Sequence, residues 1–271
     1  MKLIIRDDDT NFFTKPEDIL KAYSDIPSFP VSFAVVPMVV DVIGGCPETK
    51  GNEIPRWVGD NKELCSYLSE RVGQRSCDIL LHGIWHQYKF PNGVKTPEMA
   101  WREYETEDLT KQIGFYKEKL EQLFNVKINC FVAPSNRILK KGIRAVYKNG
   151  MNYSGIIPIT FDRDITLRSI RNYFYRWAVR VKTGLAYPGI LDYGTHIELN
   201  ACNQIDFEYL KKMLQYCKKI NAPMAINVHY WHIRDNKNHY QGFFDFIKYA
   251  IDRGAEPAMM RECFPINYHE V

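Results

Sequence analysis

Three consecutive carboxylates, Asp7, Asp8 and Asp9, follow the apolar run Leu3-Ile4-Ile5. Adjacent acids repel one another unless positive charge sits among them. A divalent cation is the usual remedy, because it binds carboxylate oxygen and cancels the repulsion. Further along, His82 and His86 form H-x-x-x-H. On a helical turn, residues four apart share a face, and a tight turn can do the same, so both imidazoles can reach one ion. His229 closes a second apolar run, Ala225-Ile-Asn-Val. An imidazole, with an ordinary pKa of about 6.5, gives and takes protons near neutrality. Each feature has a plainer explanation. Asp is common in turns after strands, and two histidines at this spacing are often unrelated. Together they describe a metal held by carboxylate and imidazole beside a proton donor. A metal with three protein ligands keeps an open position for water, which it acidifies while polarising a carbonyl. The chemistry implied is hydrolysis of an amide or ester. There is no G-x-S-x-G stretch for an acyl-enzyme route, and no H-E-x-x-H.

These residues need elements to position them. Leu3–Ile5, Val31–Val36, Cys77–Leu81, Ile128–Val132, Tyr153–Ile157 and Ala225–His229 read as short buried strands, with Ala255–Met260 as a last one. Helices are expected from Lys15, where Pro16, Glu17 and Asp18 suit a first turn, and over Trp57–Val72. Thr106–Phe124 is the clearest helix. Leu109, Ile113, Tyr116, Leu120 and Leu123 share one face, and Thr106 is placed to cap it. Ile138–Lys148, Ile205–Ile220 and Phe243–Arg253 complete the helices, while residues 41–56 and 87–105 read as loops and 158–200 show no clean period. Alternating strands and helices argue for parallel β/α units, in a barrel or a doubly wound sheet. All the candidate residues fall just after strands, where such folds gather their ligand sites.

Composition narrows the classes further. The 271 residues are 45% hydrophobic and 25% charged, ordinary for a soluble globular domain. Without a linker or an internal repeat, residues 1–271 are expected to form one domain. A formal charge of +4 does not imply nucleic acid, and no stretch approaches membrane-spanning length. Seven scattered cysteines with no C-x-x-C pair point to reduced thiols and a cytoplasmic protein.

The chain resembles the NodB-type polysaccharide deacetylases, carbohydrate esterase family 4. Asp7-Asp8 is similar to the paired acids of their first motif, T-F-D-D-G. His82-Gly-Ile-Trp-His86 is similar to their H-S/T-x-x-H motif, and Ile226-Asn-Val-His229 to their late L-x-L-H motif. Order and spacing agree from residue 1 to about 229. Val31–Pro37 and Phe131-Val-Ala-Pro-Ser-Asn136 are closer to a divergent branch. The resemblance implies an α/β fold, a distorted, TIM-barrel-like (β/α)7 barrel, with an Asp-His-His site for one divalent ion, usually zinc. Carried over by position, Asp7 is the general base, Asp8, His82 and His86 are the metal ligands, and His229 is the general acid. The family's third motif carries an Arg beside paired prolines. Here Val132 stands at that position, so Asn136 or Arg137 is expected to replace it, and Asp9 replaces the usual Gly.

Leu167–Lys182 holds Arg168, Arg171, Arg176, Arg180 and Lys182 with no acid, interleaved with Tyr173, Phe174, Tyr175 and Trp177. One explanation is an amphipathic helix covering the barrel. The other is a wall that stacks sugars and binds phosphate. Trp85, Asn136, Arg137, Arg171 and Arg176 are therefore the expected substrate-binding residues. Asp192, His196 and Glu198 read as surface polar residues, and His232 is the rival to His229 as proton donor. The expected activity is removal of an N-acetyl or related acyl group from a carbohydrate, nucleotide- or lipid-linked, in bacterial surface-polysaccharide synthesis. Rival readings are a metal amidase on a non-sugar substrate and a barrel that only binds glycans.

Overall fold

Hydrogen bonding along seven parallel strands closes a barrel. In the computed structural model, which describes residues 1–203 and 206–264, these are β1 (Lys2–Thr10), β2 (Val31–Val35), β3 (Cys77–His82), β4 (Cys130–Val132), β5 (Asn152–Gly155), β6 (Ile197–Asn203) and β7 (Met224–Val228). Their order around the barrel is β6-β7-β1-β2-β3-β4-β5, and β5 pairs back onto β6 through Tyr153 and Glu198. β1 therefore lies between β2 and β7, with Arg6 opposite Asn227 and Asp7 opposite Val228. Two short strands lean on this ring: Ile190–Asp192 runs antiparallel to β6, and Glu256–Ala258 pairs with the start of β1. This is the distorted (β/α)7 barrel that the sequence led us to expect.

The strand pleat sorts side chains into two layers. Ile4, Ala34, Leu80, Cys130, Val132, Leu199, Ala201 and Ala225 fill the barrel interior. Leu3, Ile5, Phe33, Ile79, Leu81, Phe131, Tyr153 and Ile226 face outward and meet the surrounding helices. Burying each such aliphatic side chain is worth about 1.5–3 kcal/mol, which makes this outer layer the main source of stability.

The helices are α1 (Pro16–Ala22), α2 (Lys62–Gly73), α3 (Thr106–Phe124), α4 (Lys140–Lys148), α5 (Leu167–Thr183), α6 (Phe207–Ile220), α7 (Tyr230–Asp235) and α8 (Lys237–Ile251). α2 starts later than the apolar spacing suggests. The Asn61 side chain accepts from the Leu64 N–H and caps the helix there, while Trp57 joins a two-residue strand. α3 has Glu105 rather than Thr106 at its N-cap, without a side-chain bond. Asn236 caps α8, which begins before Phe243. The expected start of α6 at Ile205 lies outside the described residues. The segment without a clear period holds α5 and the strand Ile190–Asp192. All seven cysteines are free and buried.

Candidate metal centre

β1 sets the geometry. Its pleat points Ile4, Arg6 and Asp8 into the barrel and Leu3, Ile5 and Asp7 out. Asp7 is consequently buried against the helices. It accepts 2.6 Å from the Tyr23 hydroxyl and 3.0 Å from the Tyr230 N–H. Burial pushes its carboxyl well above the usual carboxylate range, against the pull of those two donors. Beyond Asp8 the strand breaks step. Asp9 has φ +71°, in the left-handed region that L-residues rarely adopt, and the β1–β2 register shifts between Asp7 and Thr10. This break swings the Asp9 carboxylate across the mouth of the barrel.

Asp9 meets both histidines of H-x-x-x-H. Its Oδ1 lies 3.1 Å from His82 Nε2 and 2.9 Å from His86 Nε2. His82 ends β3, and His86 sits at φ +52° at the end of a turn rather than on a helix. A buried carboxylate holds that turn: Glu98 accepts from the backbone N–H of Ile84 at 2.6 Å and of Trp85 at 2.9 Å. Gly83 is required there. It has φ +58°, and a Cβ on it would lie 2.2 Å from Glu98 Oε1.

The donor set fits a divalent ion. Ligand atoms of Asp9, His82 and His86 all lie within 4.8 Å of one another, and all three residues are buried. His82 Nδ1 is 3.1 Å from the Val132 carbonyl, so the proton belongs on Nδ1 and Nε2 presents a lone pair. A lone pair facing a carboxylate oxygen at 3.1 Å is repulsive unless a cation or a proton intervenes. Burial would raise Asp9, but His86, His82 and His229 outweigh it and hold the carboxyl well below its ordinary range. His229, at the end of β7, brings Nε2 to 3.7 Å from Asp9 Oδ2. Burial lowers the pKa of its imidazole, while Asp9 and then Asp8 pull the other way. His232 is turned to the far side of α7, where it stacks on His239 with ring centres 4.2 Å apart.

The acid that meets the histidines is Asp9, one residue past the Asp8 expected there. Asp8 does not join the histidines. Its Oδ1 accepts from Arg6 Nε at 2.9 Å, and its Oδ2 from Arg6 Nη2 at 2.7 Å and from Asn227 Nδ2 at 2.5 Å. The physical reason is twofold: the period-two pleat sends Asp7 outward and Asp8 inward, and the break at Asp9 brings the third acid to the mouth as well.

The arginine that meets Asp8 is Arg6, where the sequence pointed to Arg137 or Asn136. It is fully buried and makes a two-pronged contact with Asp8, while its Nη1 donates to Ser154 Oγ at 3.0 Å. Asn136 takes part through Arg6: its Oδ1 accepts from Nη2 at 2.9 Å and from the Ile156 N–H at 3.0 Å. Arg137 is exposed and lines a groove on the rim with Lys89, Trp101 and Arg102. Trp85 packs on Tyr116 of α3. Arg176 is buried against the Pro158 and Thr160 carbonyls, and Arg171 is exposed on α5, so neither reaches the cluster. Arg6, Asn227 and Glu98 were missed in the sequence. A charged or amide side chain inside an otherwise apolar strand was the available signal for the first two.

No family model matches this chain, and no curated protein matches it. Solved structures do. A chain from Mycobacterium smegmatis assigned to the polysaccharide deacetylases superposes with a TM-score of 0.52 at 11% identity, covering 91% of this chain and 74% of that one. A family 4 acetyl xylan esterase from Clostridium thermocellum, in complex with a cobalt ion, gives 0.48 at 11% identity over 98% and 94%. A CE4 family pseudoenzyme from Bacillus anthracis gives 0.49 at 10% identity, and there the chain spans 64% of its length. The first likeness fixes the architecture: this chain is built on the polysaccharide-deacetylase barrel.

Proposed function

We propose that the chain belongs to a divergent branch of the NodB-type polysaccharide deacetylases and removes an N-acetyl or related acyl group from a carbohydrate. One observation carries this reading. Asp9, His82 and His86 converge on a single point, with the Asp8 carboxylate on the next residue and His229 across the mouth. Asp9, His82 and His86 would hold one divalent ion, zinc being the usual choice for such a set. When bound, the ion supplies Lewis acidity toward water and toward the acyl carbonyl.

The remaining work falls to the chain's own residues. Asp8 takes the proton of the attacking water. Arg6 and Asn227 fix its carboxylate in one orientation, so that a free lone pair faces the mouth. His229 gives a proton to the departing amine, which cannot leave as an anion near neutral pH. Its side chain is part-exposed beside Trp231, where a sugar amide can reach it. Arg137 and Arg102 on the rim suit a sugar carrying phosphate, as a nucleotide- or lipid-linked substrate would. The seven buried free thiols fit a reducing, cytoplasmic setting.

The test pairs metal analysis of the purified chain with acetate release from a panel of N-acetylated sugars, free and phosphate-linked. Bound metal with acetate release that a chelator abolishes is the expected result. Release from non-sugar amides alone would make it an amidase of another class. Bound metal with no turnover on any substrate would make it a glycan-binding barrel.

A further inference from the structure

α5 is built inside out. The residues it turns toward the barrel are polar: Ser169, Asn172 and Arg176, with Val179. Each polar one bonds backbone carbonyls, with Arg176 Nε alone among their donors left without a partner. Ser169 donates to the Asp164 carbonyl at 2.6 Å and Asn172 to that of Asp192 at 2.9 Å. Arg176 donates to the carbonyls of Pro158 at 2.7 Å and Thr160 at 3.2 Å. The opposite face is apolar. At about 100° per residue, Leu167, Ile170, Phe174, Trp177, Ala178 and Val181 fall within about 60° of one line along the helix. Leu167 is 88% exposed, Phe174 66%, Trp177 43% and Val181 80%. Exposed Ile165 and Phe161, just before the helix, extend the stripe, and among the described residues nothing covers it.

The flanks of the stripe are basic. Arg168, Arg171, Arg180 and Lys182 are exposed, and the helix contains no acid. Arg168 pairs with Asp192. Arg180 lies against the carbonyl of Gly184. Nearby Asp164 is spent on Arg144 and Lys140. A second copy docked face to face would bring these cations together with no acids on the helix to answer them. A helix with Leu, Phe and Trp on one face and Arg and Lys beside them matches the chemistry of an anionic bilayer surface. No helix among the described residues is long and apolar enough to cross a membrane, so this is a helix that would lie in the interface. We propose that α5 docks the protein on a membrane surface rich in anionic headgroups, with Leu167, Phe174, Trp177 and Val181 entering the headgroup boundary and Arg171 and Lys182 meeting the headgroups.

The experiment uses the full chain and vesicles of phosphatidylcholine, alone or with about 30% phosphatidylglycerol, in a co-sedimentation assay. The chain should pellet with the anionic vesicles and at least tenfold more weakly with the neutral ones, and roughly 0.5 M NaCl should release most of it. Phe174→Ser with Trp177→Ser should weaken binding tenfold or more. Arg171→Glu and Lys182→Glu should each cost roughly fivefold. These side chains are exposed, so thermal unfolding of the variants should match the parent and separates lost binding from lost fold. Absence of the chain from the anionic pellet overturns the proposal, and so does binding that the variants leave unchanged. A dimer in solution that Phe174→Ser with Trp177→Ser dissolves would assign the face to a second copy instead.

Discussion

Two buried clusters in this protein use the same residue types and differ in what they leave undone. One is Arg6, Asp8, Asp9, His82 and His86 at the barrel mouth. The other is Arg163, Glu198 and His196, between the outer wall of β5–β6 and the segment leading into α5. In the second, Glu198 Oε1 accepts from Arg163 Nε at 2.5 Å and from His196 Nε2 at 2.9 Å, and its Oε2 accepts from Arg163 Nη2 at 3.2 Å. His196 Nδ1 meets Thr195 Oγ1 at 3.0 Å, and its ring lies between those of Tyr147 and Tyr193. Each charge there has a partner, and the cluster staples an irregular stretch of chain to the barrel. At the mouth, two imidazole nitrogens are aimed at one carboxylate oxygen, and His86 Nδ1 has no hydrogen-bond partner. Residue types alone do not distinguish a working site from a clamp. Convergent, unsatisfied donor atoms do.

Substitution should break the two clusters in different currencies. His86→Ala should have the largest effect, taking bound metal from about one equivalent to near none and acetate release to background. Full metal occupancy in that variant would end the assignment. Asp8→Asn should keep the metal and lower turnover roughly 10²–10⁴-fold, as should His229→Ala. If Asp7→Asn is the variant that loses turnover while Asp8→Asn stays active, the pleat argument is wrong. Glu198→Gln should leave metal content and turnover near the parent level. It should cost about 3–5 kcal/mol in chemical denaturation, because it removes the buried carboxylate opposite Arg163 and leaves only the part-exposed Asp162 as its acid partner. Loss of metal in that variant would erase the distinction between the clusters.

The smallest effect is one of pH. Burial would raise Glu198, but Arg163 and His196 outweigh it and hold the carboxyl at about 2, below its ordinary 4.5. A depressed acid stabilises the fold fully above its unfolded value, and that contribution is lost as pH falls from about 4.5 toward 2. The stability gap between parent and Glu198→Gln should therefore be widest at neutral pH and close on acidification through that window. A gap independent of pH would mean that the carboxylate charge contributes little.

Much of this was legible from the chain. The strand and helix rhythm gave parallel β/α units, because each strand is an apolar run, and the resemblance chose the barrel over the doubly wound sheet. His82, His86 and His229 were found because histidine at a strand end is conspicuous. The assignment of Asp7, Asp8 and Asp9 depended on something a run of identical residues conceals, namely which of them the pleat points inward. Parity from Arg6 would have settled it, since a buried arginine needs an inward acid two residues away. Asp9's positive φ has no local signature in a non-glycine residue, so the break that brings it to the histidines was invisible. Arg171 and Arg176 were misplaced for a different reason. The helix was read as basic and aromatic, but which side faces the barrel depends on backbone carbonyls at Pro158, Thr160 and Asp192.

The position of β1 in the barrel orders events during synthesis. Asp9, His82 and His86 come from β1 and the end of β3, which β2 joins side by side, so every piece of that trio has been made by residue 86. The amide that holds Asp8 and the histidine beside Asp9 arrive on β7, at residues 227 and 229. At roughly 5–20 residues per second, a ribosome needs about 7–30 s to cover that interval. For that time a growing chain carries all three side chains of the trio while β1 still has an open edge and Asp8 lacks one of its holders; Glu98 and the Val132 carbonyl, which fix the histidines, arrive in between.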